Sequence, residues 1–204
     1  MTEVELSRRE RKKEETKERI CKAAFALFKR QGVEATTVDE ICEKADVAKG
    51  TFFNYFPHKE AVFGYLGEEW FAQAQAESVE ILKRPGKVGP HLIALFSELA
   101  SFHEQEPALA KYVVSEWMEN DHTGLDEMCR RWDELALQLI KKLQTNGELR
   151  PDEPTERLTR ILQDIHQGTI LEYVASPEPP FPLKDELRRR LTLAIEGLAP
   201  RGGK

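Results

Sequence analysis

The chain has 204 residues, 40% hydrophobic and 32% charged, which suits a soluble, helix-rich protein of one or two domains with a core of its own. No apolar run approaches the ~18 residues of a membrane span, and Met1 to Lys17 holds no signal-peptide core, so the expected location is the cytoplasm. The net charge of −6 argues against a nucleic-acid partner when taken whole, but residues 1–60 hold 13 Lys/Arg against 12 Asp/Glu and the remainder 17 against 24, so the negative excess lies in the second part.

Met1 to Leu6 reads as a loose arm. Ser7 to Arg30 reads as one long helix, with Ile20, Ala23, Ala24, Leu27 and Phe28 as its apolar stripe and Gln31-Gly32 as its stop. Its first half is polar all round and carries Arg8, Arg9, Arg11, Lys12 and Lys13. A solvated helix face and a phosphate-reaching extension fit that cluster equally well, because Glu10, Glu14 and Glu15 dilute its field.

Thr36 to Lys59 has the pattern of a helix-turn-helix followed by the start of another helix. Thr37 and Glu40 form a T-x-x-E capping box, which starts a helix near Val38. Val38, Ile41, Cys42 and Ala45 give it one apolar face, and Asp46-Val47 interrupt it. A nine-residue helix is then expected over Ala48–Phe56. Phe52 and Phe56, four apart, point inward and leave Lys49, Thr51, Phe53, Asn54 and Tyr55 outside. A cation, a hydroxyl, an amide and two rings on a short exposed helix suit phosphates and base edges in a major groove. Gly50 permits close backbone approach. No set of titratable groups converges here as an enzyme site would require.

This stretch resembles the N-terminal domain of tetracycline-repressor-like (TetR family) transcriptional regulators. The matching residues are Ile20 to Gly32, Thr36-Thr37-Val38 with Ile41 and Ala45, and the run Val47 to Glu60. The match covers about the first third of the chain; beyond it only length and helical pattern agree. The resemblance implies that Thr37 faces a DNA phosphate, that Lys49, Gly50, Thr51 and Asn54 lie on the groove side, and that Lys59 binds a phosphate. Phe53 stands where the family often has a phosphate-bonding tyrosine; without a hydroxyl, its remaining option is a thymine methyl. Tyr55 is placed to donate to phosphate. His58 replaces the usual Ser or Asn before the lysine, so weaker capping is expected there.

Further on, Lys59–Lys83 reads as a connecting helix through Val62, Leu66, Trp70 and Ala74. Arg84 to Pro90 breaks it. Helices are expected over His91–Gln105, from Pro107 through Met118, and over Leu125–Gln144, which Asn146-Gly147 stops. Two more follow, Pro154–Ala175 and Leu183–Leu198, before a polar tail from Arg201. The expected fold is all-α, with about nine helices and no strand: a DNA-binding domain over 1–60 and an effector-binding and dimerisation domain over 61–204. By resemblance, 154–175 and 183–198 form the homodimer contact, helped by Gly168 and Thr169 on an apolar face, and the middle helices wall an effector cavity. Phe96, Leu99, Phe102, His103, Tyr112, Trp117, Met118, Cys129 and Trp132 are the candidates for that wall. Each also fits plain core packing, and as a set they hint at an apolar effector. His103 fits a hydrogen-bonded core residue as well as a ligand contact.

Cys21, Cys42 and Cys129 show no C-x-x-C spacing and read as reduced thiols. His91, His103, His122 and His166 are scattered, so no metal is expected. No G-x-S-x-G elbow or Gly-rich phosphate loop occurs, so neither catalysis nor a cofactor is expected. The reading is a ligand-responsive regulator, most simply a repressor, that binds a palindromic double-stranded operator as a homodimer. A helical enzyme or carrier, and an architectural DNA-binding protein without an effector, are the other classes; the first lacks a convergent catalytic set, and the second leaves the large second part without a task.

Overall fold

The computed structural model describes residues 7–119 and 126–200. The side chains of 66, 102, 108, 115–119 and 126–129 lie outside that description, and with them the expectations placed on Phe102, Trp117, Met118 and Cys129. So do His122, the N-terminal arm and the tail.

Among the described residues every regular element is helical: α1 (Arg8–Gln31), α2 (Val38–Ala45), α3 (Lys49–Phe53), a 3-10 turn (Lys59–Ala61), α4 (Val62–Lys83), α5 (Gly89–Leu99), α6 (Ser101–Gln105), α7 (Pro107–Glu119), α8 (Asp126–Thr145), α9 (Thr155–Ala175) and α10 (Leu183–Gly197). The expected succession is present. The helix anticipated over His91–Gln105 is divided at Ala100 into α5 and α6, where the His103 amide donates to the Ala100 carbonyl in a tighter turn. None of the described helices is long and apolar enough to cross a membrane.

The chain divides into two compact units, Met1–Gly67 and Glu68–Lys204. The division falls inside α4 rather than before it, at 60/61. The first turns of α4 belong to unit 1 because Phe63 stacks on Phe28 at 5.4 Å and Lys17 lies over the Tyr65 ring at 4.6 Å.

In unit 1, α1 starts on a Ser7–Glu10 capping box and stops at Gly32, whose φ of 85° suits a residue without a Cβ. Ile20, Ala24, Leu27 and Phe28 from α1, Ile41 and Cys42 from α2, and Phe52 and Phe56 are all buried. Cys21 and Cys42 are buried, and burial pushes the Cys42 thiol up.

In unit 2, one apolar cluster joins Phe71, Ala74 and Ile81 of α4 to Leu92 and Leu95 of α5, Leu139 and Leu143 of α8, Leu158 and Leu162 of α9, and Leu191 of α10. A second gathers Ala100, Ala110, Tyr173, Val174, Leu183 and Leu187. The turn after α8 is tied into this frame by Glu148. Its carboxylate accepts from the amides of Val88 at 2.7 Å and Gly89 at 2.9 Å, capping α5 from sixty residues away. A Cβ on Gly89 would stand 3.0 Å from that carboxylate.

Candidate nucleic-acid interface

Two local features fix the helix pair. Thr37 accepts from the Glu40 amide at 3.2 Å, while the Glu40 carboxylate accepts from the Thr37 amide at 2.8 Å, so the expected capping box is present. That backbone bond, with the Gln31 and Thr37 side chains, holds the Glu40 carboxyl below the usual carboxylate range. At the other end of α2, Asp46 turns into the left-handed region at φ 52° and its amide donates to Cys42 and Glu43. Asp tolerates this conformation better than most residues.

The chain then enters α3, which is shorter than the nine residues expected. Regular helix covers Lys49–Phe53, and the last turn tightens: the Asn54 amide donates to Gly50 and Thr51, and the Tyr55 amide to Phe52. Pro57 follows and cannot continue the ladder. Phe52 and Phe56 are buried as the spacing required, their rings 5.8 Å apart.

What remains outside matches the anticipated set in part. Lys49, Gly50, Phe53 and Asn54 are exposed, and Thr51 and Tyr55 are half-buried. Phe53 is 48% exposed, with its ring set edge-on against Phe52. An open apolar ring beside an amide and a hydroxyl offers one surface for a thymine methyl and two groups for base edges. Lys49 does not stand alone: its ammonium lies 2.8 Å from the Asp39 carboxylate of α2.

Lys59 is the residue expected by resemblance to bind a phosphate. Its side chain is 17% exposed. The ammonium donates to the carbonyls of Val33 at 2.7 Å, Thr36 at 2.9 Å and Glu34 at 3.1 Å, so all three N–H groups are engaged inside the unit. Just before it, His58 makes no cap to the backbone; its Nδ1 lies 3.1 Å from Glu60.

In unit 2 the side chains of five of the nine expected wall residues are described: Phe96, Leu99, His103, Tyr112 and Trp132. Phe96, Leu99 and Trp132 are half-buried and packed on the main apolar cluster. Phe96 sets its ring against His166 at 5.3 Å, and Trp132 sits edge-on to Phe71 at 5.1 Å. His103, half-buried, lies 3.2 Å from the Ala100 carbonyl, and burial lowers its pKa. Burial also pushes His166 down to about 4. Tyr112 is half-buried on α7. A groove between α4 and α8, lined by Phe71, Ser78, Leu82, Arg131, Leu135 and Gln138 among others, is bordered by none of these five. Within it Arg131 lies over the Phe71 ring at 4.1 Å and bridges to Glu68 at 2.8 Å. Among the described residues no group of three or more His, Cys, Asp and Glu could hold a metal ion.

Residues 20–66 match the family model of bacterial regulatory proteins, tetR family. The chain is 32% identical to Thermus thermophilus FadR, a TetR family transcriptional repressor solved in complex with lauroyl-CoA; the likeness covers 92% of this chain and 97% of that one, with a TM-score of 0.71. The chain belongs to the TetR family.

This TetR family member is therefore a DNA-binding transcriptional regulator that responds to a ligand. It is also 25% identical to the HTH-type transcriptional regulator UidR of Escherichia coli strain K12 over 166 residues, 78% of this chain and 82% of that one. Bacillus subtilis FadR, solved with stearoyl-CoA, shares the fold at a TM-score of 0.70 and 19% identity, covering 88% of this chain and 98% of that one. Two features of the TetR-like unit escaped sequence reasoning. The Lys49–Asp39 pair carries no periodic signal. The destination of the Lys59 ammonium depends on residues more than twenty positions earlier.

Proposed function

We propose that this chain is a repressor that binds a palindromic operator as a homodimer and is released by a long-chain acyl-CoA. The observation that carries the effector class is the 32% identity, over nearly the full length of both chains, with a repressor seen holding lauroyl-CoA. A largely apolar effector suits the frame of unit 2, where each buried methylene of an acyl chain contributes about 0.8 kcal/mol. In this reading unit 1 presents Thr37, Lys49, Gly50, Thr51, Phe53, Asn54 and Tyr55 to the duplex, and residues 61–204 bind the effector and the second copy.

Two exposed apolar residues support the dimer. Leu171 on α9 is 38% exposed and Leu193 on α10 is 60% exposed, each on the outer side of a helix whose inner side is filled. Gly168 shares the Leu171 side and is exposed, with nothing within 4 Å of an added Cβ. Thr169 is not its partner there: it is 1% exposed, and its hydroxyl donates to the Ile165 carbonyl at 2.6 Å. The two residues expected on one face therefore divide between the outer and inner sides of α9.

Release follows as a shift between two packings of unit 2. In this reading the connecting helix, α4 (Val62–Lys83), passes the change on. Two reading heads must sit about 34–36 Å apart to enter successive major grooves, and an acyl-CoA that prefers the other packing removes that spacing. Such a regulator works in the cytoplasm, where both DNA and acyl-CoA are found.

The test is direct. Operator duplexes selected from random DNA with the purified chain are titrated with lauroyl-CoA, free CoA and laurate. Release by lauroyl-CoA at concentrations where free CoA has no effect is the expected result. Binding that persists at saturating acyl-CoA removes the effector class and leaves the DNA-binding reading intact.

A further inference from the structure

We infer that Lys59 is a positioning residue of the DNA-binding unit: it fixes the α1–α2 corner, and with it the start of α2, rather than contacting a phosphate. The inference rests on the reading of unit 1 as the unit that meets DNA.

The corner runs from Gly32 to Thr37 and is too short for a helical ladder of its own. Its carbonyls are bonded from three directions. The Thr36 hydroxyl donates to Gly32 at 2.7 Å, and the Gln31 side chain donates to Ala35 at 3.3 Å while also reaching the Glu40 carboxylate at 3.1 Å. Three more carbonyls, Val33, Glu34 and Thr36, converge on the Lys59 ammonium at 2.7, 3.1 and 2.9 Å; Val33 also accepts from the Thr36 amide at 3.2 Å, and the Thr37 carbonyl accepts from the Ile41 amide. An ammonium has three donors and no more, so this set uses it completely. The nearest carboxylate oxygen, on Glu60, is 3.9 Å away, farther than any of the carbonyls.

The consequence is geometric. Thr36 is 1% exposed and is followed directly by Thr37, whose capping box sets where α2 begins. α2 in turn leads through the left-handed Asp46 into α3. Lys59 itself opens the turn that leads into α4. One side chain thus joins the entry of α2 to the segment that follows α3, closing a ring around the helix-turn-helix. A guanidinium cannot replace it, because its donors lie in one plane and diverge.

The experiment uses the full chain and its selected operator, with Lys59→Met and Lys59→Arg, each checked for folding by far-UV circular dichroism. Positioning predicts that both variants bind about tenfold more weakly while the slope of log K against log salt stays at the wild-type value. A lysine that contacts phosphate predicts otherwise: the slope of Lys59→Met falls by about 0.9, and Lys59→Arg binds nearly as well as wild type. That pair of results overturns the inference. Unchanged affinity with only a lower melting temperature also overturns it, because the residue would then be merely structural. Should neither variant fold, the wild-type protein decides: the Lys59 ammonium resonance, protected from exchange in the free protein, stays in place on adding operator if the carbonyls hold it, and a shift overturns the inference. If the wild type binds no DNA, the reading of unit 1 fails, while the ammonium signal still reports the three carbonyls.

Discussion

Lys49 of α3 and Asp39 of α2 meet at 2.8 Å on the outer side of the helix-turn-helix, with side chains 57% and 71% exposed. A pair so open to water adds little to stability. In the proposed reading its importance is to DNA binding: the carboxylate holds the exposed cation of α3 until a phosphate replaces it. Asp39→Asn should therefore strengthen binding to all duplexes and leave the melting temperature within a degree or so. The salt dependence of binding checks it: Lys49→Ala should reduce the slope by about 0.9, and an unchanged slope would show that Lys49 reaches no phosphate.

Asn54 is exposed immediately after α3, where an amide can read adenine by two hydrogen bonds. Asn54→Ala should relax preference at one base position per half-site, by about 1–3 kcal/mol, and leave the other positions as they were. Binding to single-base operator variants measures this. Preferences identical to wild type would remove Asn54 from the readers.

Thr37 caps α2 through its hydroxyl and its backbone amide. Thr37→Ala should destabilise unit 1 by about 1 kcal/mol, and Thr37→Ser should recover most of the loss. Chemical denaturation followed by circular dichroism reports the difference. Equal stability of all three proteins would mean that tertiary packing alone sets the start of α2.

His166 stays neutral in the folded protein because its burial pushes the ring down to about 4, whereas the unfolded ring titrates near 6.5. A base with a lowered folded pKa keeps full stability above the unfolded value and loses it as pH falls. The loss should run from about pH 6.5 to pH 4 and reach roughly 3 kcal/mol. His166→Leu should flatten the dependence of melting temperature on pH over that window. A variant whose profile parallels wild type would show that other groups, His103 among them, carry the acid sensitivity.

Leu171 and Leu193 offer the outer apolar surface of α9 and α10. Leu171→Arg with Leu193→Arg should convert a dimer to a monomer in light scattering and weaken operator binding far more than it lowers helicity. A double variant that remains dimeric would place the subunit contact elsewhere.

The helix-turn-helix was legible from the chain alone because its signals are local. The Thr37–Glu40 box, the interruption at Asp46 and the Phe52/Phe56 spacing each involve residues within four positions, and all three recur in the structure. The end of α3 was harder to place, since its last turn tightens ahead of Pro57 with no change in apolar spacing. Effector-wall residues could be named but not placed. Aromatic and apolar side chains at helical intervals serve a core and a cavity alike, and Phe96 and Trp132 pack on the core.

The order of the amino acids thus determined most of the helices, the Thr37 cap and the inward Phe52/Phe56 pair, because backbone hydrogen bonding and apolar periodicity act over a single turn or two. Only the folded arrangement decided where long polar side chains end. Lys59 reaches back 26 residues to the Val33 carbonyl, and Glu148 caps a helix that begins at Gly89. A flexible ammonium or carboxylate goes to whichever partners the fold brings within about 3 Å, and sequence spacing carries no record of that choice.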